Sequence, residues 1–199
     1  MPDPNPQRRN EEARKAILTA AMELSTDPGF QATSVEAIAK RAGVGKQTIY
    51  RWWQSKGAVV LDALNELALP TMSFPDTGDV IADLRTQLAG VATLLRRSEG
   101  KVFAGLVSAA QNDDSLSRTM IETILQPRVD ACRERLERAQ RQGQLRRDVD
   151  LEEVIELLYG PLYYRLLFRT QPVTTDQPAQ IIDLAFTGLR PKRSRRGSP

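Results

Sequence analysis

The chain has 199 residues, 41% of them hydrophobic, and a formal charge of +3. That is enough apolar material for one or two packed domains. With no histidine and one cysteine, Cys132, it can form neither an intramolecular disulfide nor a zinc site of the usual kind.

The charge is unevenly placed. Residues 1–69 carry nine basic and eight acidic side chains, residues 70–189 fourteen and seventeen, and residues 190–199 five and none. The overall basicity therefore comes from the tail. Nine bases against five acids within residues 8–57 form a local excess suited to nucleic acid. No apolar run approaches the ~20 residues of a membrane span. The opening MPDPNPQRRN lacks the apolar core of a signal peptide, so a cytoplasmic protein with a buried Cys132 is expected.

In chain order, residues 1–9 read as a disordered arm. A first helix is expected after the cap residue Asn10, with Ala13, Ile17, Ala20, Ala21 and Leu24 as its apolar stripe. Asp27-Pro28-Gly29 ends it. Thr33 and Glu36 form a T-x-x-E capping box that starts a second helix at Ser34. Val35, Ile38, Ala39 and Ala42 give that helix one apolar face, and Gly43 stops it. A third helix is expected over about 45–53, with Ile49 and Trp53 inward. Ser55 caps a fourth, which Pro70 stops. Residues 70–78 read as a loop.

Beyond Asp79 every periodic stretch is helical. A long helix over about 115–142 is expected to kink or divide at Pro127, and one over 150–169 to be interrupted at Gly160-Pro161. A last helix starts at Pro178. The tail 190–199, with Lys192, Arg193, Arg195 and Arg196, is too polar to fold.

The fold class is therefore all-α with about nine helices. An N-terminal three-helix module over 10–54 precedes a helical domain over 55–189. Residues 33–56 have the form of a helix-turn-helix, whose second helix enters the major groove of DNA. Lys46, Gln47 and Thr48 fall at its start, where lysine suits guanine acceptors and glutamine can pair with adenine. Arg51, one turn on, is assigned to base edges or phosphates, and Tyr50 and Lys56 to phosphates. There is no Ser/His/Asp set, no glycine-rich phosphate loop and no metal cluster, so an enzyme is not expected and no cofactor is implied. A nonspecific nucleic-acid-binding or architectural protein is the alternative to a sequence-specific regulator.

The segments ILTAAMELSTDPGF (17–30), TSVEAIAKRAGVGKQTIYRWW (33–53) and SK (55–56) resemble the tetracycline-repressor (TetR) family of transcriptional regulators. Three positions depart from the family pattern. Ser25 stands where phenylalanine is usual, Gly45 where a cap is usual, and Gly57 where an acid is usual. The resemblance implies that Tyr50 and Lys56, and often Thr33, meet phosphate. It also implies a ligand-binding and dimerisation domain in the second part of the chain. The candidate pocket residues are Phe103, Leu106, Met120, Ile124, Tyr159, Tyr163 and Phe168, and their character suggests an apolar small-molecule effector. The last two helices are the most apolar. With the resemblance they imply a homodimer, with Leu166, Ile182 and Phe186 at the interface, on a palindromic double-stranded operator. Repressor and activator remain open at this stage.

Overall fold

The computed structural model describes residues 6–68 and 74–190. The expected arm over 1–5, the stop at Pro70 and the tail beyond Arg190 lie outside the described residues. The helices are α1 (Pro6–Leu24), α2 (Val35–Ala42), α3 (Lys46–Tyr50), α4 (Lys56–Ala68), α5 (Val80–Arg96), α6 (Ser98–Ala110), α7 (Asp114–Met120), α8 (Gln126–Arg141), α9 (Leu151–Phe168) and α10 (Gln177–Leu189). No strand occurs among the described residues.

Several boundaries differ from expectation. Helix α1 begins at Pro6, so Asn10 is inside it rather than capping it. Proline suits a first turn, where its missing N–H would have had no partner. The long helix expected over 115–142 is divided. A π-helical turn over Ile121–Leu125 separates α7 from α8, and Pro127 sits in the first turn of α8. Helix α9 runs unbroken through Gly160-Pro161. Leu158 and Leu162, on either side, are fully buried and hold both halves to one core.

The chain forms two compact units. The first comprises Met1–Pro70 with Arg97–Ile124, the second Thr71–Arg96 with Leu125–Pro199. This division differs from the expected boundary at 54/55, because α4, α6 and α7 complete the core that α1 to α3 begin. Ile17, Ala21, Ile38, Ile49, Val59, Val60, Leu64, Val102 and Leu106 are buried in one cluster. Gly105 lets α6 approach the turn after α1: a Cβ there would lie 2.8 Å from Phe30 Cβ. Gly57 has a similar reason. Its absent Cβ would meet a Leu116 methyl at 2.8 Å, so the residue that cost α4 a favourable charge admits α7.

In the second unit, α5 buries Leu84, Leu88 and Val91, α8 buries Cys132, Leu136 and Ala139, and α9 and α10 bury Leu158, Leu162, Ile182 and Phe186. A buried ion pair lies inside this unit: Arg135 Nε donates to Asp83 Oδ2 at 2.7 Å, with both side chains shut from solvent. Thr77 donates its hydroxyl (2.6 Å) and its N–H (3.1 Å) to the same carboxylate. Burial pushes the Asp83 carboxyl up, but the bonds from Thr77 and Arg135 outweigh it and hold the group below its ordinary range.

Candidate nucleic-acid interface

The α2–turn–α3 segment is fixed at each joint by a local device. Ser34 caps α2, its Oγ accepting from the Ala37 N–H at 3.1 Å. The cap is therefore one residue later than the T-x-x-E pattern suggests. Thr33 is instead buried, and its hydroxyl faces the carbonyls of Leu24 and Gly29 at 2.9 Å each. A hydroxyl shut inside the turn after α1 satisfies its donor there. This removes the Thr33 side chain from the expected phosphate contacts. Ser25, also buried, leaves its Oγ without a partner among the described residues, so a polar group occupies a position where an apolar one would pack.

Gly43 adopts φ +68° and its N–H reaches the Ala39 and Lys40 carbonyls, while the Val44 N–H reaches Ala39 O at 3.0 Å. These bonds satisfy carbonyls that the helix end would leave open. Helix α3 then starts from Gly45, which supplies no side-chain cap. It is shorter than the expected 45–53, because its last turn tightens: the Trp52 N–H bonds to Ile49 O, three residues back.

Helix α3 has two distinct sides. Ile49 is fully buried, and Trp53 packs below it with Nε1 donating to Asp62 Oδ2 at 3.1 Å. Burial of two such side chains stabilises the helix's seat by ~1.5–3 kcal/mol each. Lys46, Gln47, Tyr50 and Arg51 are exposed, and Thr48 is half-buried. Gln47, Thr48, Tyr50 and Arg51 together border a shallow surface hollow. Lys46 Nζ lies 2.6 Å from Glu36 Oε1 on α2, and that bond is the main cause that holds the Glu36 carboxyl below its usual range. The Arg51 guanidinium lies over the Trp52 ring, 5.2 Å from its centroid.

Lys56 is half-buried and tied back to the turn after α1. Its Nζ donates to Phe30 O at 2.8 Å and sits 4.4 Å from the Phe30 ring centroid, and burial lowers its pKa. An ammonium has three donors, so two remain for other partners.

The candidate pocket residues fall in both compact units. Leu106 and Ile124 are buried in the core of the first unit, and Phe103 and Met120 pack against it. Tyr159 and Tyr163 belong to the second unit, where the Tyr159 hydroxyl donates to Gln87 Oε1. Phe168 is 71% exposed and lines no interior.

Two of the expected interface residues face inward. Ile182 and Phe186 are buried within the subunit, and Leu166 is half-buried. The side of these helices left in solvent carries Leu157, Tyr164, Leu167 and Phe168 on α9 and Leu184 on α10. The Tyr164 and Phe168 rings lie 5.2 Å apart. The spacing of 157, 164, 167 and 168 was a signal available in the sequence. A helix apolar on nearly every face supports two stripes, and the sequence does not say which one faces inward.

Residues 17–63 match the family described as bacterial regulatory proteins, tetR family, and residues 74–185 match the tetracyclin repressor-like C-terminal domain. The uncharacterized HTH-type transcriptional regulator YdeS of Bacillus subtilis is 37% identical over 182 residues, covering 92% of each chain. The DNA-binding transcriptional repressor TetR of Mycobacteroides abscessus is 27% identical over 162 residues, covering 79% of this chain and 84% of that one. The crystal structure of a TetR family transcription regulator superposes with a TM-score of 0.74 at 35% identity, covering 90% of this chain and all of the other.

Proposed function

Because the chain belongs to the tetR family of bacterial regulatory proteins, and is thus a helix-turn-helix DNA-binding transcriptional regulator, we propose that it is a homodimeric repressor of a palindromic operator. A small-molecule effector releases it. The observation that carries this reading is the two-sided α3, seated by Ile49 and Trp53 with Lys46, Gln47, Tyr50 and Arg51 outward. Gln47, Thr48 and Lys46 meet base edges at the N-terminal end of the recognition helix, and Lys46 gives up Glu36 to do so. Both partners of that pair are exposed, so water screens it and replaces it readily. Arg51 reaches a base or a phosphate from its stacked position on Trp52. Tyr50 and Lys56 meet phosphates, Lys56 with the donors that Phe30 O leaves over.

One short recognition helix reads few bases. Two related by a twofold axis read a palindrome, with centres about 34–36 Å apart or a multiple of it. The exposed apolar side of α9 and α10 is the surface proposed to join the two subunits. No helix among the described residues is long and apolar enough to cross a membrane. Selection of bound duplexes from a random pool tests the reading. A palindrome preferred over random DNA by ~10³ or more at physiological salt supports it. Equal affinity for both would favour the nonspecific alternative, and a drop in transcription on removal of the protein would make it an activator.

A further inference from the structure

The ammonium of Lys56 is held by a residue 26 positions earlier in the chain. Phe30 offers it two different groups. Its carbonyl accepts from Nζ at 2.8 Å, and its ring centroid lies 4.4 Å from the same atom. The carbonyl takes one N–H, while the ring face attracts the charge without taking a hydrogen bond. Together they fix a flexible side chain that would otherwise lose much rotamer freedom on binding. Lys56 is also the first residue of α4, so its stem belongs to that helix and its head to the turn after α1.

The seat is itself rigid. Phe30 is buried, and the turn around it is closed by Thr33. The buried Thr33 hydroxyl faces the Leu24 and Gly29 carbonyls, and its N–H reaches Gly29 O at 3.2 Å. Helix α6 packs against the base of the Phe30 side chain. A Cβ at Gly105 would lie 2.8 Å from Phe30 Cβ, 3.2 Å from Cγ and 3.4 Å from Cδ1. The stem of Lys56 is fixed in the same way. Gly57, next along α4, admits Leu116 so closely that an added Cβ would meet it at 2.8 Å.

We propose that Phe30 is a positioning residue for DNA binding: it holds the Lys56 ammonium where a backbone phosphate takes the remaining N–H groups. The inference rests on the reading of Lys56 as a phosphate contact given above. Phe30 acts through Lys56, since its own side chain is buried. Its effect is pre-organisation, because a lysine already ordered in the free protein has less freedom to lose on the DNA. A phosphate contact carries no sequence information, so Phe30 sets affinity for every duplex alike and leaves base preference to α3. By burial alone Phe30 is a core residue, and the ammonium over its ring sets it apart.

A double-mutant cycle on the full chain tests this. Affinity is measured for a duplex selected from a random pool and for a random-sequence duplex of the same length. Phe30→Leu keeps an apolar side chain and removes the ring face. It should weaken both duplexes by the same factor, about two- to fivefold per bound subunit. In a Lys56→Ala background the same change should have no further effect, because nothing remains to be positioned. A purely structural role for Phe30 would weaken binding equally in both backgrounds and would overturn the proposal. So would a Phe30→Leu protein that binds more tightly, since the ring would then compete with phosphate. The native chain supplies a readout that does not depend on a Phe30 variant folding. A ring face shifts nearby protons upfield, so the Lys56 ε-methylene signal, identified by its absence from Lys56→Ala, should lie upfield in the free protein and stay there on DNA. Loss of that shift on DNA would mean that the seat is given up, and the proposal with it. If Lys56→Ala binds both duplexes as the native chain does, the phosphate contact itself fails. If it weakens them while Phe30→Leu adds independently, only the positioning role fails. The random-sequence duplex reports the phosphate contact even where no site is preferred, so neither result is confused with failure of the operator reading.

Discussion

Gln47 and Lys56 divide the work of reading and positioning, and their surroundings differ accordingly. Gln47 is exposed and has no protein partner among the described residues, whereas Lys56 is half-buried and holds the Phe30 carbonyl. Gln47→Ala is expected to cost ~1–3 kcal/mol on the operator and to relax preference at particular base pairs. Lys56→Ala should weaken binding to all sequences alike and reduce the salt slope by about one unit. It should also lower the melting temperature, because the bond to Phe30 O is lost, while Gln47→Ala should not. Binding to single-base operator variants at several salt concentrations, with a melt of each protein, separates the two. At Cys132, burial pushes the thiol up to about 12. Only the thiolate reacts, and the thiol is also shut from solvent. Thiol reagents should leave the native protein unlabelled and modify it readily in denaturant.

Helix packing makes equally specific demands. Gly105→Ala would place a Cβ 2.8 Å from Phe30 Cβ, an atom close to the backbone that cannot swing away, and should destabilise the first unit by ~1–3 kcal/mol. Gly160→Ala meets nothing within 4 Å and should be neutral or stabilising, which a pair of denaturant titrations would show. In the second unit, α5 and α8 are joined by the buried Asp83–Arg135 pair. Removing one partner, as in Arg135→Met, should cost ~3–5 kcal/mol, and adding Asp83→Leu should recover much of that loss. The pH dependence has a definite sign. The folded-state pKa of Asp83 lies below its ordinary 3.8, so its stabilisation is present above 3.8 and is lost as the pH falls through the folded value. Arg135→Met removes a cause of that lowering, so acid unfolding should begin at higher pH. The sequence made the α2–turn–α3 geometry legible because caps, Gly43 and the Ile49/Trp53 pair act within a few residues of one another. It did not reveal Gly57 or Gly105 as close approaches, nor the core role of Leu106 and Ile124. Those facts depend on which helix arrives from far along the chain, and local pattern is silent on that.

At the scale of the whole molecule, the question is what covers Leu157, Tyr164, Leu167, Phe168 and Leu184. Apolar side chains spaced along one side of α9, joined by one on α10 that is 77% exposed, form more than the scattered apolar surface any protein shows. A second copy of the chain presenting the same patch would bury it around a twofold axis, as self-complementary interfaces do. Two substitutions on α10 distinguish this from a role in folding. Leu184→Glu alters a side chain the subunit does not need, whereas Phe186→Glu places a charge at a position only 2% exposed inside it. Light scattering at micromolar concentration should give a dimer for the native chain and a folded monomer for Leu184→Glu, with an unchanged helical spectrum. Phe186→Glu should instead lose helix and melt at much lower temperature, because an unpaired buried charge is not tolerated. On a palindromic duplex the Leu184→Glu monomer should bind far more weakly than the dimer and without preference for half-site spacing, since each recognition helix now acts alone. A Leu184→Glu protein that stays dimeric, or a monomer that keeps full operator affinity, would place the subunit contact elsewhere.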